Sequence, residues 1–338
     1  MSMTTQRLAR DITAPPVADI ITLDGPPPVW SIDFTQQSPA SAGLTFTRAS
    51  QAGYYDPSGS WIYALTNTPR MTHHPISKQP LGLLIEETRT NVLLNSAAPT
   101  TQTVTLGTGT YTLWLEGSGN CTCAAGTATG TGFGIATSIK TITFTLTNAG
   151  SVIFTVNGSL LRFQCEAGTH PTSFITTTHA AATRAADTCT TNLSGIINPV
   201  EGTFIATGNV GTGMFMALDN GSGDGATRLH IKGGNTERNL FCSMGGSIKG
   251  TYSDFTPLPT GTRGCLGLSY GPAGVHYAIN GQSVFRTDTP ATGLSINTLR
   301  IGHRQLSGGL PVILNGVVHS IRYFNRALSR EHLQALTK

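Results

Sequence analysis

Two acidic residues and an arginine stand close together in LGLLIEETRTNVLLNS, residues 81–96, where Glu86, Glu87 and Arg89 interrupt two apolar runs. Paired carboxylates can do general acid–base work, and glycoside cleavage in particular needs two carboxyls about 5 to 10 Å apart. Two local structures compete for this stretch, a short acidic helix and a strand with a polar interruption. No helix N-cap precedes it, and Leu83, Ile85 and Glu87 alternate with Leu84, Glu86 and Thr88. That period of two fits a strand, a short irregular joint and a second strand at NVLLN. The charges are then structural, with Arg89 near enough to neutralise a carboxylate that faces inward. The later acids, Glu201, Asp219, Asp224, Glu237, Asp254 and Asp288, do not pair at i, i+2 on a convincing strand. Neither H-E-x-x-H nor a phosphate-binding Gly-rich loop with its Lys occurs. No catalytic residue is assigned, and the chain reads as a non-enzyme.

Binding chemistry has more candidates. Asp219, Asn220 and Asp224 sit among glycines, and oxygen ligands on a loop can hold calcium, although a plain turn uses the same residues. No other cofactor or metal is expected. Trp61, Trp114, Tyr252 and Tyr270 could stack on sugar rings or fill a core. His73 and His74 are adjacent in a Pro-bounded loop, and neighbours rarely point at one metal. Cys121 and Cys123 form a C-x-C with no second pair, whereas zinc normally takes four ligands, so they read as small residues on one strand face.

The elements that must carry these residues are strands. Charged residues are 11% of the 338, against about 25% in an average soluble domain. Gly and Thr are abundant and helix-favouring runs are missing, which suits strands joined by tight turns. The net charge of +4 is mild, and no basic stripe with interleaved aromatics points to nucleic acid. No apolar run approaches the roughly 20 residues that span a bilayer. The beginning, MSMTTQRLARDITAPP, lacks the apolar segment of a secretory signal. The six cysteines are therefore expected to be thiols made in a reducing cytosol.

Residues 1–30 have no periodic pattern and are cut by Pro15, Pro16, Pro26, Pro27 and Pro28, so they read as an extended arm. From residue 31 to 96 a strand-rich lead-in follows. Trp30, Ile32 and Phe34 share one side of its first strand, and DPSG at 56–59 turns into WIYAL. Residues 97–187 are short alternating strands broken by Gly, Asn and Ser, as in a small jelly roll. The last part, 188–338, holds the hairpin VHYAINGQSVF around Asn280-Gly281, and closes with a strand and a short helix that Ser329 can cap.

The succession FTRASQAGYYDPSG, NTPRMTHHP and QPLGLLIEETRTNVLLNS, covering residues 44–96, resembles a phrase that recurs in structural proteins of tailed bacteriophages. FQCEAGTHPTSFITTTHAAATRAAD is similar to the closing strand and exit linker of the jelly roll in such proteins, and that module resembles carbohydrate-binding modules in outline. GVVHSIRYFNRALSREHLQALTK resembles the end of a laminin-G-like, concanavalin A-like sandwich, a fold whose members often carry a calcium ion at the rim. The resemblance implies an appendage of the virion, a tail fibre or a head fibre or decoration. Such a protein assembles in the bacterial cytoplasm and docks on other virion proteins through residues 1–30 as a homotrimer. Its sandwiches face outward toward a host-surface glycan. A glycan-binding adhesin is the alternative function, and a polysaccharide-degrading enzyme a third. The expected fold is all-β: sandwich and jelly-roll modules behind an extended N-terminal arm.

Overall fold

The computed structural model describes residues 27–338 apart from 210, 212, 222–226, 233–239, 245, 253–260, 294 and 307–308, with backbone alone at 240, 252, 285, 306 and 309–311. Nearly all of the expected arm, residues 1–26, lies outside the described residues.

The fold is all-β, as the composition indicates. In chain order the lead-in supplies β1 (Trp30–Asp33), β2 (Thr45–Thr47), β3 (Ala52–Tyr55), β4 (Trp61–Ala64), β5 (Met71–His73), β6 (Pro80–Ile85) and β7 (Arg89–Asn91). The jelly roll supplies β8 (Gln102–Leu106), β9 (Gly109–Gly117), β10 (Asn120–Ala125), β11 (Thr129–Thr131), β12 (Gly134–Thr137), β13 (Ile142–Asn148), β14 (Gly150–Asn157) and β15 (Leu160–Ala167). There follow β16 (Ala182–Arg184), β17 (Thr188–Asn192), β18 (Gly202–Asn209), β19 (Met214–Asp219), β20 (Arg228–Lys232), β21 (Leu240–Met244), β22 (Ser247–Tyr252) and β23 (Arg263–Gly271). The chain closes with β24 (Gly274–Ile279), β25 (Gln282–Thr287), β26 (Thr298–Ile301), β27 (His303–Leu306), β28 (Gly309–Ile313), β29 (Gly316–Phe324) and the helix α1 (Arg330–Leu336).

Two large sheets face each other across the main core. One runs β25-β24-β23-β18-β29-β6-β5, with β1 also on β29; the other runs β2-β17-β26-β19-β20-β21-β22. Strands from the lead-in are therefore members of the C-terminal sandwich rather than a preface to it. The two ends of β29 take different partners: Tyr323 to Ser320 pair with β1, and Val318 to Gly316 pair with β6. Ile32, Phe34, Leu83 and Ile85 bury among Phe204, Phe215, Leu268 and Tyr323 in one cluster. The alternation expected from Trp30 onward holds, with Ile32 and Phe34 inward and Ser31 exposed. A smaller cluster of Ile205, Cys265, Ala278 and Phe324 on the far side of the β18 sheet receives Leu328 and Leu333, which beds α1 there.

The jelly roll packs β12-β10-β14-β8 against β11-β13-β9-β15 over its own core. It is inserted in the sandwich. Its two connections, β7 and β16, pair antiparallel from Ala182↔Asn91 to Arg184↔Arg89. Cys121 and Cys123 both face this core from β10, and burial pushes each thiol up to about 12. All six cysteines are buried and free.

Local signals explain the turns. Asn280 and Gly281 both adopt positive φ, 46° and 78°, between β24 and β25, the backbone a type I′ hairpin turn demands. Asp56 Oδ1 accepts from the Ser58 and Ser60 amides and closes the β3–β4 hairpin. Ser329 caps α1, its Oγ accepting from the His332 amide at 3.3 Å.

Candidate functional site

The charges of the opening motif are interior. After β6 the chain leaves the sheet at Glu86, which turns inward at the root of the jelly roll. Arg70 Nη1 lies 2.7 Å and Arg184 Nη1 3.2 Å from Glu86 Oε2. Ser173 adds its amide at 2.6 Å to Oε1 and its hydroxyl at 2.5 Å to Oε2. Beside it Asp187 accepts from Arg48 at 3.1 Å, from Arg70 and from the Glu86 amide at 2.9 Å. Burial alone would raise the Glu86 carboxyl, but Arg184, Arg70 and Ser173 hold it down to about 2. A carboxylate so enclosed cannot meet a substrate, so this network is structural, as the sequence suggests. Its partners differ from the expected one. Arg89 pairs with Glu87, while Glu86 is neutralised by arginines distant in sequence.

A second arrangement opens to solvent. The β3–β4 hairpin lies against the jelly-roll sheet that carries β9 and β15, and an open cleft of ≈ 470 Å³ forms between them. Trp61, Tyr63, Leu161, Arg162, Phe174 and Glu116 line it, with Ala97 and Thr176 at the rim. Pairing of β15 with β9 sets Arg162 opposite Glu116, and Arg162 Nε donates to Glu116 Oε2 at 2.5 Å. The same guanidinium lies 4.6 Å from the Trp61 ring centroid and 5.2 Å from that of Phe174. Tyr55 meets Trp61 edge-on at 4.9 Å and its hydroxyl accepts from Arg162 Nη2 at 3.1 Å. Gly53 is required here, because a Cβ on it would fall 2.1 Å from Trp61 Cζ2. The Trp61 indole N–H is buried without a partner. Tyr63, edge-on to Trp61 with ring centroids 6.5 Å apart, is 41% exposed and Leu161 68%, and the Tyr63 hydroxyl hydrogen-bonds Thr176.

Of the sugar-contact candidates, Trp61 thus lies in the cleft, with its ring covered by Arg162. Trp114 is 2% exposed, edge-on to Phe174 and donating to Glu166 Oε1 at 3.4 Å behind the cleft. Tyr270 is 0% exposed in the main core, its hydroxyl donating to the Asn198 carbonyl. The side chain of Tyr252 is outside the described residues. Tyr63, Leu161 and Arg162 were missed by sequence reasoning. The signal available was apolar and aromatic residues at outward positions of alternating strands, and it is legible only once each strand's inward face is known.

The calcium candidates separate. Asp219 is buried and grips Arg300, at 2.7 Å to Nε and 3.2 Å to Nη2, while its Oδ1 accepts from the Gly221 amide. A guanidinium at that distance occupies the charge a cation would need. Asn220 is exposed, and Asp224 lies outside the described residues. His74 Nδ1 accepts from the Ser77 amide at 2.9 Å and His73 Nδ1 lies 3.1 Å from the Met71 carbonyl, so both rings serve their own loop.

No protein-family model matches the chain, and no curated protein matches it. Among solved structures, the CBM40 of the Ruminococcus gnavus IT-sialidase aligns at 15% identity over 43% of this chain and 86% of its own, with a TM-score of 0.37. The NanB sialidase from Streptococcus pneumoniae aligns at 15% over 43% and 26%, with a TM-score of 0.36. A heptameric SAP-like pentraxin from Limulus polyphemus aligns at 13% over 40% and 68%, with a TM-score of 0.30. These are distant likenesses of β-sandwich architecture, and nothing about ligand or activity follows from them.

Proposed function

We propose that this protein is a non-catalytic glycan-binding adhesin whose saccharide sits in the cleft between the β3–β4 hairpin and the jelly roll. The observation that carries this reading is that the exposed Tyr63 and Leu161 line one cleft with the Trp61–Arg162–Glu116 stack. A sugar offers an apolar ring face and a girdle of hydroxyls. Tyr63 and Leu161 suit the first, and the outward atoms of Glu116, Arg162 and Thr176 the second. Arg162 and Glu116 neutralise one another, so the cleft favours an uncharged saccharide. It has one lining carboxylate, Glu116, where glycoside hydrolysis needs two, and the design therefore suits holding a glycan rather than cutting it.

The setting we propose is the surface of a tailed-phage particle. Support for it comes from the phrase at residues 44–96, with the N-terminal arm as anchor and a trimer as assembly. The test of the binding site is a glycan array followed by titration of the best neutral oligosaccharide. Tyr63→Ala with Leu161→Ala should weaken binding by about tenfold or more, since each lost apolar contact is worth about 1 kcal/mol or more. An unchanged affinity in a folded double variant rules out the cleft.

A further inference from the structure

Another surface of the molecule has unmet polar groups. On β20, Leu229 and Ile231 enter the main core, so Arg228, His230 and Lys232 occupy the opposite face of the seven-stranded sheet. Register places His230 between Ala217 of β19 and Phe241 of β21. Its imidazole stacks on the Phe241 ring, centroids 5.0 Å apart and planes at 9°. Arg228 covers the same ring at 4.6 Å. Arg304, on β27 next to β26, brings a further guanidinium close enough to repel that of Arg228.

Among the described residues, buried polar atoms of Arg228, His230 and Arg304 lack partners. His230 is 1% exposed, yet neither ring nitrogen has a hydrogen bond, and Arg228 Nε and Arg304 Nε are also buried and unpaired. Leaving such a group unsatisfied costs about 1–3 kcal/mol. Among the described residues neither Arg228 nor Arg304 has an ion pair, and the neighbouring carboxylate, Asp219, is held by Arg300. Burial and then Arg228 pull Arg304 down to about 10. Burial, with Arg228, Arg304 and Lys232 around it, keeps His230 neutral, with one ring N–H to donate.

We propose that Arg228, Arg304 and His230 form a subsite for an oxyanion, the sulfate or carboxylate group of an acidic saccharide. Two guanidinium forks and one imidazole N–H match the several oxygens of such a group. The negative charge would relieve the repulsion between the arginines and satisfy the buried donors. Phe241 holds His230 and Arg228 in place by contact with both. The subsite is independent of the cleft in chemistry and in residues: the cleft's arginine is already neutralised by Glu116, and none of the three subsite residues lines the cleft.

The full chain is titrated with sodium sulfate, with glucuronate, with a sulfated disaccharide and with glucose, by calorimetry and by NMR of the imidazoles. Saturable binding of the sulfated disaccharide or of glucuronate is expected, with glucose silent and the His230 resonances shifting at the same midpoint. Arg228→Gln and Arg304→Gln should each weaken it by about tenfold or more, as one charge-assisted contact is worth. His230→Phe, which keeps a ring on Phe241, should weaken it too. The Tyr63→Ala, Leu161→Ala variant should bind the anion as the parent does, which separates failure here from failure of the cleft. No binding of either acidic saccharide, binding of inorganic sulfate alone, glucose binding as tightly, or full affinity in folded arginine variants would each overturn the proposal.

Discussion

A carboxylate removed from water must find its counter-charge within the protein, and Glu86 finds two, on Arg70 and Arg184. Removing the acid leaves two buried guanidiniums short of a partner. Glu86→Ala should therefore destabilise the protein by about 3–5 kcal/mol, read as a lower urea midpoint, and Glu86→Gln, which keeps the shape and one acceptor oxygen for the Ser173 amide, by less. The same residue sets a pH window. Its carboxyl is held at about 2 against an ordinary 4.5, so its contribution is full above pH 4.5 and is lost as pH falls toward 2. His303, buried and held at about 4 against 6.5, adds a loss that begins as pH drops below 6.5 and is complete near 4. Glu166, raised by burial, works in the opposite sense and softens the slope just above pH 4.5. The melting temperature should be level above pH 7, decline between 6.5 and 4, and drop further below that. A level profile from pH 7 to 4 would contradict the burial of His303. Reasoning from sequence offered Arg89 as the neutralising partner because it was the cation at hand. Arg70 and Arg184 approach through the fold, and nothing in residues 81–96 announces them.

Elements with local causes were readable in the chain. The alternation of Trp30 to Phe34, the Asp56 turn, the Ser329 cap and the Asn280-Gly281 hairpin each depend on residues within one short window. The last of these invites a test. Gly281 has φ 78°, and a Cβ there would approach Lys338 Cγ at 2.6 Å. Gly281→Val should cost about 1–3 kcal/mol, whereas Gly281→Asn, a residue that tolerates left-handed backbone, should cost less. Equal melting temperatures for the two would show that the turn is not held in type I′ form. The pairing of elements was not readable in this way. A strand's sequence tells which side faces inward, since that is a matter of period, but not which other strand lies beside it. Hence β1, β2 and β6 looked like a lead-in, and only their registers with β29 and β17 make them part of the sandwich. The cleft was illegible for the same reason: Tyr63 and Arg162 come from different modules, and only their docking brings them together.

For the whole molecule, the described pairing of the sandwich begins at residue 29. The Val29 amide donates to the Tyr323 carbonyl and β1 begins at Trp30, so deletion of residues 1–28 should leave the thermal transition unchanged and, on the virion setting proposed above, abolish incorporation into particles. Extending the deletion through Phe34 removes Ile32 and Phe34 from the core and should lower the transition clearly. Particles that carry the shorter deletion at full occupancy would place the anchor elsewhere. The pairing of β1 with β29 also orders events during synthesis. The first of the described strands pairs with the last of them, from Trp30↔Tyr323 to Asp33↔Ser320. At about 5–20 residues per second, β1 and β6 wait tens of seconds for the strand that covers them. Within that interval the jelly roll, complete by Ala167 and built on contacts among its own strands, can close. The nascent chain thus carries a finished module between two unfinished halves of another. Its apolar Ile32, Phe34, Leu83 and Ile85 stay open to chaperones, and to other nascent copies, until β29 has been made.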